Sequence, residues 1–524
     1  MHTARRYFAL VLLLSAVLPL WAADKKKEKN LDQKIEAILA QAEVTRAEWG
    51  IEAVSLDTGK TVYSFNADKL FTPASNTKLF TTATALALIG PDYRFHTTVE
   101  TSGAIDKYGR LMGDLTIIGR GDPNLSGRTL PYSLKTERKL PPLHLLDELA
   151  DQVAARGIKL IDGDIVADDS YFAYERYGEG WSQDDLVFEW GAPVSALTIN
   201  DNVMFVSILP AANVGDKAFI NVSPFPEYYA IDNRVLTSPS GTGPRRIYIN
   251  REPGSRNLTI WGNIPLDDAG ASQSLAIEDP ADFTARYFAT QLDKRGIALY
   301  GKIRTHHTDL ASISTFSVTA TASAGGGLDR RPPTVPPPLT LASFDSVPLV
   351  QDIKVINKVS QNLHAELLLR LLGREKGTAG TIEGGLEVER GFLLQADIRP
   401  EEYVFFDGSG LSRENLVSPR AVVKLLSFAA KQPWGAAYVD SLPVGGVDGS
   451  LLDRFKDAAM LGRIKAKTGS LTHVNALSGF LTSMKGEHLV FSIFVNNHNL
   501  TGRQSLETID AIVLAIANDL PTKK

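Results

Sequence analysis

Two side chains with complementary chemistry lie three positions apart at the start of an apolar stretch. Ser75 and Lys78 fall in the segment Pro73-Ala74-Ser75-Asn76-Thr77-Lys78, and the apolar run 79–89 follows before Gly90. Proline before such a run and glycine after it are typical of helix ends, so we expect a buried helix of about four turns with Ser75 in its first turn. Residues three apart share one helix face, which places the hydroxyl beside the amine.

That pair of groups is able to perform nucleophilic catalysis. A serine hydroxyl is a weak nucleophile until a neighbouring base removes its proton. A lysine held neutral by burial and by nearby cations is such a base. The first turn of a helix adds N–H groups and a positive dipole end where an oxyanion would form. The Ser-x-x-Lys pattern alone also fits a capping serine followed by a solvated lysine, so it does not decide the function.

Two downstream motifs repeat these residue types. Ser360-Gln361-Asn362 lies between predicted helices at 347–358 and 363–373, where a hydroxyl and an amide can project into a cleft. Lys467-Thr468-Gly469 is the only such triplet in the chain and lies on a predicted strand. Gly469 has no side chain, so we expect a substrate backbone to approach that strand closely.

The elements around these motifs indicate a sheet that supports the serine helix. Residues 52–56 and 61–65 alternate like two strands joined by Asp57-Thr58-Gly59-Lys60, and this hairpin leads into the Ser75 helix. After Gly90 the composition changes to short strands and turns. Within that region a helix, a glycine and a strand occur twice, at 149–165 and 291–303, which predicts paired halves of one inserted domain.

The first 23 residues have the layout of a secretory signal peptide. Arg5 and Arg6 precede the apolar run 8–20, and cleavage is expected after Ala22 or Ala23. The protein is therefore predicted to be exported, to the periplasm or the cell-wall side of the cytoplasmic membrane. An uncleaved membrane anchor is the alternative, for which the run is short.

Composition narrows the possible functions further. The 524 residues include no cysteine, so an exported form is held together by core burial alone. The formal net charge of -5 gives no electrostatic reason to expect nucleic-acid binding. No later apolar run approaches the length of a membrane span, so at most peripheral membrane contact is expected. The histidines show no metal-ligand spacing, and no cofactor or metal is predicted.

The three motifs, in this order, form the penicilloyl-serine transferase signature. The chain resembles the low-molecular-mass class C penicillin-binding proteins, which are exported D-Ala-D-Ala carboxypeptidases and endopeptidases. The resemblance extends to Asn357-Lys358-x-Ser360-x-Asn362-x-x-Ala365-Glu366, to the loop 407–412 and to Leu442-Pro443-x-x-Gly446-x-Asp448-Gly449. A large insertion between the first two motifs also matches this family and differs from the short spacing of β-lactamases.

The resemblance implies a role for each motif residue. Ser75 attacks the carbonyl of the penultimate D-alanine, and Lys78 takes its proton. Ser360 passes a proton to the leaving amine, while Asn362 binds the substrate amide. Lys467 supports the electrostatics, Thr468 receives the terminal carboxylate, and Gly469 belongs to the substrate-binding strand. Backbone N–H groups of Ser75 and Ser470 form the oxyanion hole.

The resemblance also implies the fold and the domain organisation. The fold class is α+β, a penicillin-binding-protein/β-lactamase-like antiparallel sheet flanked by helices, with two inserted smaller β-rich domains. The predicted domains are a signal peptide (1–23), a discontinuous catalytic domain (30–97 and 345–520), inserted domain II (98–194 and 279–344) and inserted domain III (195–278). The Gly- and Pro-rich segment 321–338 is predicted to be a linker or surface loop.

The expected partners are peptidoglycan stem peptides and β-lactam antibiotics, the latter as covalent inhibitors. Stem peptides often carry diaminopimelate, which ends in a free ammonium and carboxylate. We expect Asp168, just past the strand of the first repeat, to bind that ammonium, with Asp169 as the competing residue. Two alternatives stay open: a β-lactamase-like hydrolase and a non-catalytic wall-binding or scaffolding protein.

Overall fold

A computed structural model describes residues 30–134, 138–313 and 337–518 of the chain. The predicted signal peptide and residues 321–336 of the Gly- and Pro-rich segment lie outside the described residues. No helix in the described ranges combines the length and the apolar character that a membrane span needs.

Helices and strands are mixed along the chain. The helices are α1 (Leu31–Leu39), α2 (Lys78–Leu88), α3 (His144–Ala155), α4 (Pro280–Lys294), α5 (Leu310–Ile313), α6 (Leu349–Lys354), α7 (Asn362–Lys376), α8 (Ile382–Gln395), α9 (Pro419–Ala429), α10 (Gly435–Asp440) and α11 (Gly502–Asn518). The strands up to the second repeat are β1 (Glu48–Ser55), β2 (Thr61–Phe65), β3 (His96–Thr101), β4 (Ala104–Ile105), β5 (Arg110–Met112), β6 (Leu115–Ile118), β7 (Leu160–Ile161), β8 (Ile165–Ala173), β9 (Val203–Leu209), β10 (Phe219–Ser223), β11 (Ala230–Ser238), β12 (Arg246–Asn250), β13 (Asn257–Pro265) and β14 (Ala271–Ala276). The remaining strands are β15 (Ala298–Leu299), β16 (Ile303–Thr308), β17 (Leu339–Asp345), β18 (Tyr403–Val404), β19 (Leu416–Val417), β20 (Ile464–Leu471), β21 (Val474–Thr482) and β22 (His488–Asn496).

A central antiparallel sheet is built from both ends of the chain. Its strand order is β2-β1-β22-β21-β20, so the N-terminal hairpin pairs with the C-terminal strands. The turn of that hairpin contains Gly59 at φ 72°, a conformation that glycine adopts without steric cost. Strand β20 lies at the edge of the sheet, where one row of backbone groups is available to a ligand.

Helices cover both faces of the central sheet because its strands carry apolar side chains on alternating sides. One face packs with α1 and α11 around Ile35, Ile51, Ile493 and Ile512. The other face packs with α2, α7 and α9 around Phe71, Phe80, Leu368, Val422 and Phe494. Helix α2 is therefore enclosed by the core, and the turn Ala74–Thr77 that precedes it lies against β20.

Residues between α2 and α6 form separate sheets around a second hydrophobic core. The two repeats predicted from the sequence pair with each other: β7 runs parallel to β15, and β8 runs parallel to β16. Both repeats turn at a glycine in the left-handed region, Gly157 at φ 78° and Gly296 at φ 76°. A small mixed sheet of order β11-β13-β12 stands beside them. The domain boundaries derived from the sequence stay predictions.

Candidate active site

Ser75 lies at the start of a buried helix, but the local structure differs from a regular helix start. Residues Ala74–Thr77 form a 3₁₀ turn, and α2 begins only at Lys78. Ala74 has φ 48°, an uncommon conformation for a residue with a side chain. A Cβ atom at Gly410 would lie 1.9 Å from the Ala74 carbonyl oxygen, so the 407–412 loop packs directly on this turn. The close contact explains why that loop contains glycine.

Lys78 is fully buried and is directed at the serine. Its Nζ lies 2.9 Å from Ser75 Oγ and 2.7 Å from Asn362 Oδ1, and it also contacts the carbonyl oxygen of Ser409. Burial lowers the pKa of Lys78 to about 7, although the carboxylates of Asp407 and Glu366 act in the opposite direction. At neutral pH a large fraction of this amine is therefore uncharged.

Two buried carboxylates shape the loop that faces Lys78. Glu366 accepts hydrogen bonds from the backbone N–H groups of Gly408 and Ser409, at 3.0 and 2.8 Å. Asp407 accepts from the N–H groups of Gly410 and Ser412, and from the indole of Trp181 at 2.9 Å. These bonds fix the Ser409 carbonyl against Lys78. The loop and Glu366 belong to the family resemblance, but this role for them was not predicted from the sequence.

Ser360 and Lys467 form a second hydroxyl–amine pair. A π-helical turn, Val355–Val359, ends at Ser360, whose φ of 66° turns the chain sharply before α7. Lys467 Nζ donates to Ser360 Oγ at 2.8 Å and to the Thr468 carbonyl at 2.8 Å. Burial and the neighbouring charge of Lys78 hold the pKa of Lys467 well below its usual range.

Asn362 connects the two motifs to the inserted region. It is the first residue of α7, and its Oδ1 accepts from Lys78. Its side-chain N–H group donates to the Trp190 carbonyl at 2.9 Å. One amide group therefore orients the lysine and holds the segment 183–190 in place.

The edge strand β20 presents backbone N–H groups to the same space. Ala466 N–H is bonded to the Pro443 carbonyl, on the side of β20 that faces away from β21. Because strand groups alternate in direction, the N–H groups of Thr468 and Ser470 point to that same side. Thr468 also shares a 2.7 Å hydroxyl contact with Ser450.

The structural reason for glycine at position 469 differs from the expected one. A Cβ atom there would lie 2.6 Å from the Pro73 carbonyl oxygen and 2.9 Å from Asn76 Nδ2. The glycine therefore allows the serine turn to pack against β20. The position of a Cβ atom at residue 469 is therefore next to the serine turn, whereas we expected a substrate backbone to lie there.

These motifs border a cavity of about 260 Å³. Its lining includes Ser75 and Asn362 from the first two motifs and Ser470, which directly follows the third. The inserted region contributes Asp185 and Trp190, and Arg413 follows directly after the 407–412 loop. Larger cavities of about 730 and 510 Å³ lie elsewhere, and none of the motif residues lines them. The geometry, rather than size, identifies the small cavity as the candidate active site.

Asp168 lies in a different environment from the one predicted. Strand β8 continues to Ala173, so Asp168 sits inside a five-stranded sheet, between Ile118 and His306 of the adjacent strands. Its carboxylate accepts from the Ser170 N–H and contacts His306 Nδ1 at 3.0 Å. The acidic residue that lines the Ser75 cavity is Asp185. A signal for it exists in the sequence, because the acidic pair 184–185 lies between Trp181 and Trp190.

A buried ionic network anchors the Ser360–Asn362 motif to the inserted region. Asp201 is fully buried and contacts Arg128, Arg138, Gln361 and His364. Burial opposes its charge, but Arg128, Arg138 and His364 hold the pKa of Asp201 well below its usual range. Burial likewise opposes the charge on His364, but Asp352 and Asp201 raise the pKa of His364 to about 9. This network was not predicted from the sequence, because its members are far apart along the chain.

Comparison with known proteins identifies relatives over almost the whole chain. Residues 31–324 and 330–519 match the D-Ala-D-Ala carboxypeptidase 3 (S13) family. A D-alanyl-D-alanine carboxypeptidase of Actinomadura sp. (strain R39) is 32% identical over an alignment of 532 positions. The alignment covers 98% of this chain and 90% of that protein.

Solved structures show the same fold. Penicillin binding protein 4 of Haemophilus influenzae aligns with a TM-score of 0.76 at 24% identity, covering 92% of this chain and 97% of that one. A structure of that protein complexed with a β-lactam aligns with a TM-score of 0.71 at 23% identity, covering 93% and 98%. The predicted α+β, penicillin-binding-protein-like fold with extra domains is thereby confirmed.

Proposed function

The chain belongs to the D-Ala-D-Ala carboxypeptidase 3 (S13) family, and we propose that Ser75 is the nucleophile with which it cleaves peptidoglycan stem peptides. It is a serine peptidase of this type, which works through an acyl-enzyme. Ser75 Oγ bonds to the carbonyl carbon of the penultimate D-alanine, and the bond from that carbon to the terminal D-alanine nitrogen breaks. Water then hydrolyses the ester and restores the free serine.

Lys78 is the base in this proposal, because its contacts suit the neutral amine. A neutral amine keeps two N–H donors and one lone pair. Its two acceptors are Asn362 Oδ1 and the Ser409 carbonyl, so the lone pair is left facing Ser75 Oγ. The serine proton moves to this lone pair as the C–O bond forms. The 2.9 Å contact between the buried Lys78 amine and the Ser75 hydroxyl is the observation that carries the proposed function.

Ser360 and Lys467 manage the leaving group and the developing charge. Lys467 donates to Ser360 Oγ, so the Ser360 hydroxyl is free to pass its own proton to the departing amine. We assign the oxyanion hole to the backbone N–H groups of Ser75 and Ser470, because both residues line the cavity and the Ser470 N–H lies on the side of β20 that faces away from β21. Thr468 and Gly469 continue the strand that would bind the terminal carboxylate.

The direct test is covalent labelling with benzylpenicillin, followed by intact-mass measurement and peptide mapping. We expect one adduct per chain on the peptide that contains Ser75, and none in Ser75→Ala. The adduct should persist, since a peptidase of this type hydrolyses its penicilloyl ester slowly. Rapid hydrolysis of that ester, with turnover of benzylpenicillin, would indicate a β-lactamase. Labelling at another serine, or no labelling of a folded protein, contradicts the mechanism. The intact Lys78–Ser75 and Lys467–Ser360 pairs argue against a non-catalytic scaffold.

Side-chain recognition is proposed for the inserted wall of the cavity. Asp185 Oδ1 accepts from the Trp190 indole at 2.8 Å, which leaves its other oxygen for a ligand. Arg413 lines the same cavity, so the site offers one anion and one cation. That pairing matches the free ammonium and carboxylate at the end of diaminopimelate. Asp185 therefore replaces Asp168 as our preferred candidate, and the role first assigned to Asp168 stays an untested prediction.

We also propose that the protein works outside the cytoplasm. Its N-terminal 23 residues have the composition of a signal peptide, and the substrate of its family is part of the cell wall. Periplasmic or cell-wall-side localisation follows from these two observations together.

A further inference from the structure

A second cavity, of about 510 Å³, lies in the inserted region. It opens between strand β12 and the segment 183–188, and strand β14 contributes Gln273 to its lining. The mechanism above uses none of the residues that line it.

Two aromatic rings form an exposed ledge at this cavity. Tyr248 on β12 and Trp261 on β13 are directly paired across the strands. Their ring centroids lie 5.5 Å apart with an angle of 22° between the planes. Tyr248 is 53% exposed and Trp261 is 40% exposed. Large aromatic side chains left this exposed on a rigid sheet often mark a binding surface.

Polar groups with amide chemistry surround the ledge. The cavity lining includes the side chains of Asn250, Gln273 and Gln183, together with the carboxylate of Asp184. The strand register places Asn250 opposite Thr259, two residues along from the Tyr248–Trp261 pair and on the same face of the sheet. The three amide side chains are neutral donors and acceptors and the Asp184 carboxylate is a further acceptor, a set that suits a ligand with hydroxyl and acetamido groups.

A buried ion pair makes the floor of the cavity rigid. Arg251 is buried and contacts Glu278 at 3.0 Å. Its guanidinium also donates to the Tyr229 hydroxyl and to backbone carbonyls of Ala276 and Leu186. Because these bonds join β14 to the segment 183–188, the lining is preorganised rather than loose.

The second cavity shares a wall with the Ser75 cavity. Within the segment 183–190, Asp184 and Phe188 line the second cavity, whereas Asp185 and Trp190 line the first. The rings of Phe188 and Trp190 stack at 4.8 Å with an interplanar angle of 16°. A ligand that occupies both cavities would therefore pass across one stacked aromatic pair.

We propose that the second cavity binds the glycan strand of peptidoglycan, a chain of N-acetylated hexosamines. The C–H face of a pyranose ring stacks on the negative face of an aromatic ring, which the Tyr248–Trp261 ledge provides. The acetamido and hydroxyl groups would bond to Asn250, Gln273 and Gln183. A stem peptide of four residues spans roughly 13 Å when extended, and the wall it would cross is the single segment 183–190. The choice of glycan rests on the proposed function.

The first test measures sugar binding itself, with tetra-N-acetylchitotetraose as the probe and the full mature protein in a calorimeter. We expect binding that weakens about tenfold or more in Trp261→Ala and in Tyr248→Ala, the usual scale for an anchoring aromatic residue. Trp261→Phe keeps a flat ring and should retain most of the affinity. Tyr300→Ala is the matched control, because Tyr300 is 73% exposed but lies outside this cavity. Failure of the probe to bind, or equal loss in the control, overturns the proposal.

The second test separates this proposal from the proposed function. Hydrolysis is compared for a free pentapeptide and for the same peptide attached to a glycan strand. Trp261→Ala should raise KM about tenfold for the attached substrate and leave the free peptide and benzylpenicillin labelling unchanged. If labelling of the wild-type protein fails, the catalytic assignment is wrong. If labelling is normal but Trp261→Ala handles both substrates like the wild type, the glycan site is wrong.

Discussion

The floor and the inserted wall of the Ser75 cavity are built in opposite ways. The floor is Ser75 and Asn362 together with the two lysines beneath the cavity lining, Lys78 and Lys467, which are fully buried and each contact a serine hydroxyl. On the wall, Trp190 is 42% exposed and Asp185 is half-buried. Burial changes the pKa of the floor residues, so it determines their reactivity. Exposure leaves the wall residues free to contact a ligand, which is the recognition role that we propose for them.

The largest expected effect on acylation comes from substituting the buried lysines of the floor. Lys78→Ala should slow acylation by benzylpenicillin at least about 10²-fold, because it removes the base that takes the serine proton. Lys467→Ala should also slow it, through lost electrostatic stabilisation. Stopped-flow acylation rates measure both. The matched control is Lys465→Ala, on the same strand but outside the contacts of Ser75 and Ser360. An unchanged acylation rate in Lys78→Ala would mean that another group is the base.

Substituting the acidic residue of the wall is expected to have a smaller effect, on kcat/KM for peptide substrates. Asp185→Asn should lower kcat/KM about 10- to 100-fold for peptides with a free diaminopimelate ammonium, the scale of one charge-assisted hydrogen bond. Acylation by benzylpenicillin, which lacks that ammonium, should stay nearly unchanged.

Asp168→Asn is the matched control for this measurement. It changes an aspartate of strand β8, in the five-stranded sheet, whose carboxylate bonds to Ser170 and His306. If Asp168→Asn shows the substrate-selective loss and Asp185→Asn does not, the original assignment from the sequence is correct and the assignment from the cavity is not.

The smallest expected effect is the pH dependence of acylation, which tests whether the floor alone sets the pKa of Lys78. Burial lowers the pKa of Lys78 to about 7, and only its neutral form accepts the proton. Acylation should therefore rise about tenfold from pH 6 to pH 8 and then level off. Asp185→Asn should keep the same profile, because the wall does not set the pKa of Lys78. A flat profile between pH 6 and pH 8 would show that Lys78 does not titrate there.

The sequence alone predicted the candidate reactive groups because each motif is local. Ser75 and Lys78 are three residues apart, and helix geometry brings such residues together whatever the rest of the chain does. The hairpin before the serine and the last three strands of the central sheet were also predictable, since alternating apolar residues and turn signals are short-range patterns. The resemblance to a family then supplied the fold, which the structural comparison confirmed.

Tertiary structure decided the contacts that join distant segments. Asn362 reaches Lys78 across 284 positions of sequence, and Glu366 shapes a loop 42 positions away. Asp168 lies inside a strand rather than just past one, because β8 is longer than its apolar pattern suggested, and its proposed role stays a prediction. Asp185 and Asp201 went unassigned because an acidic residue acquires a role only from the charges and cavities that folding places around it. Local patterns specify which groups are present, whereas long-range packing sets their burial, their partners and hence their pKa values.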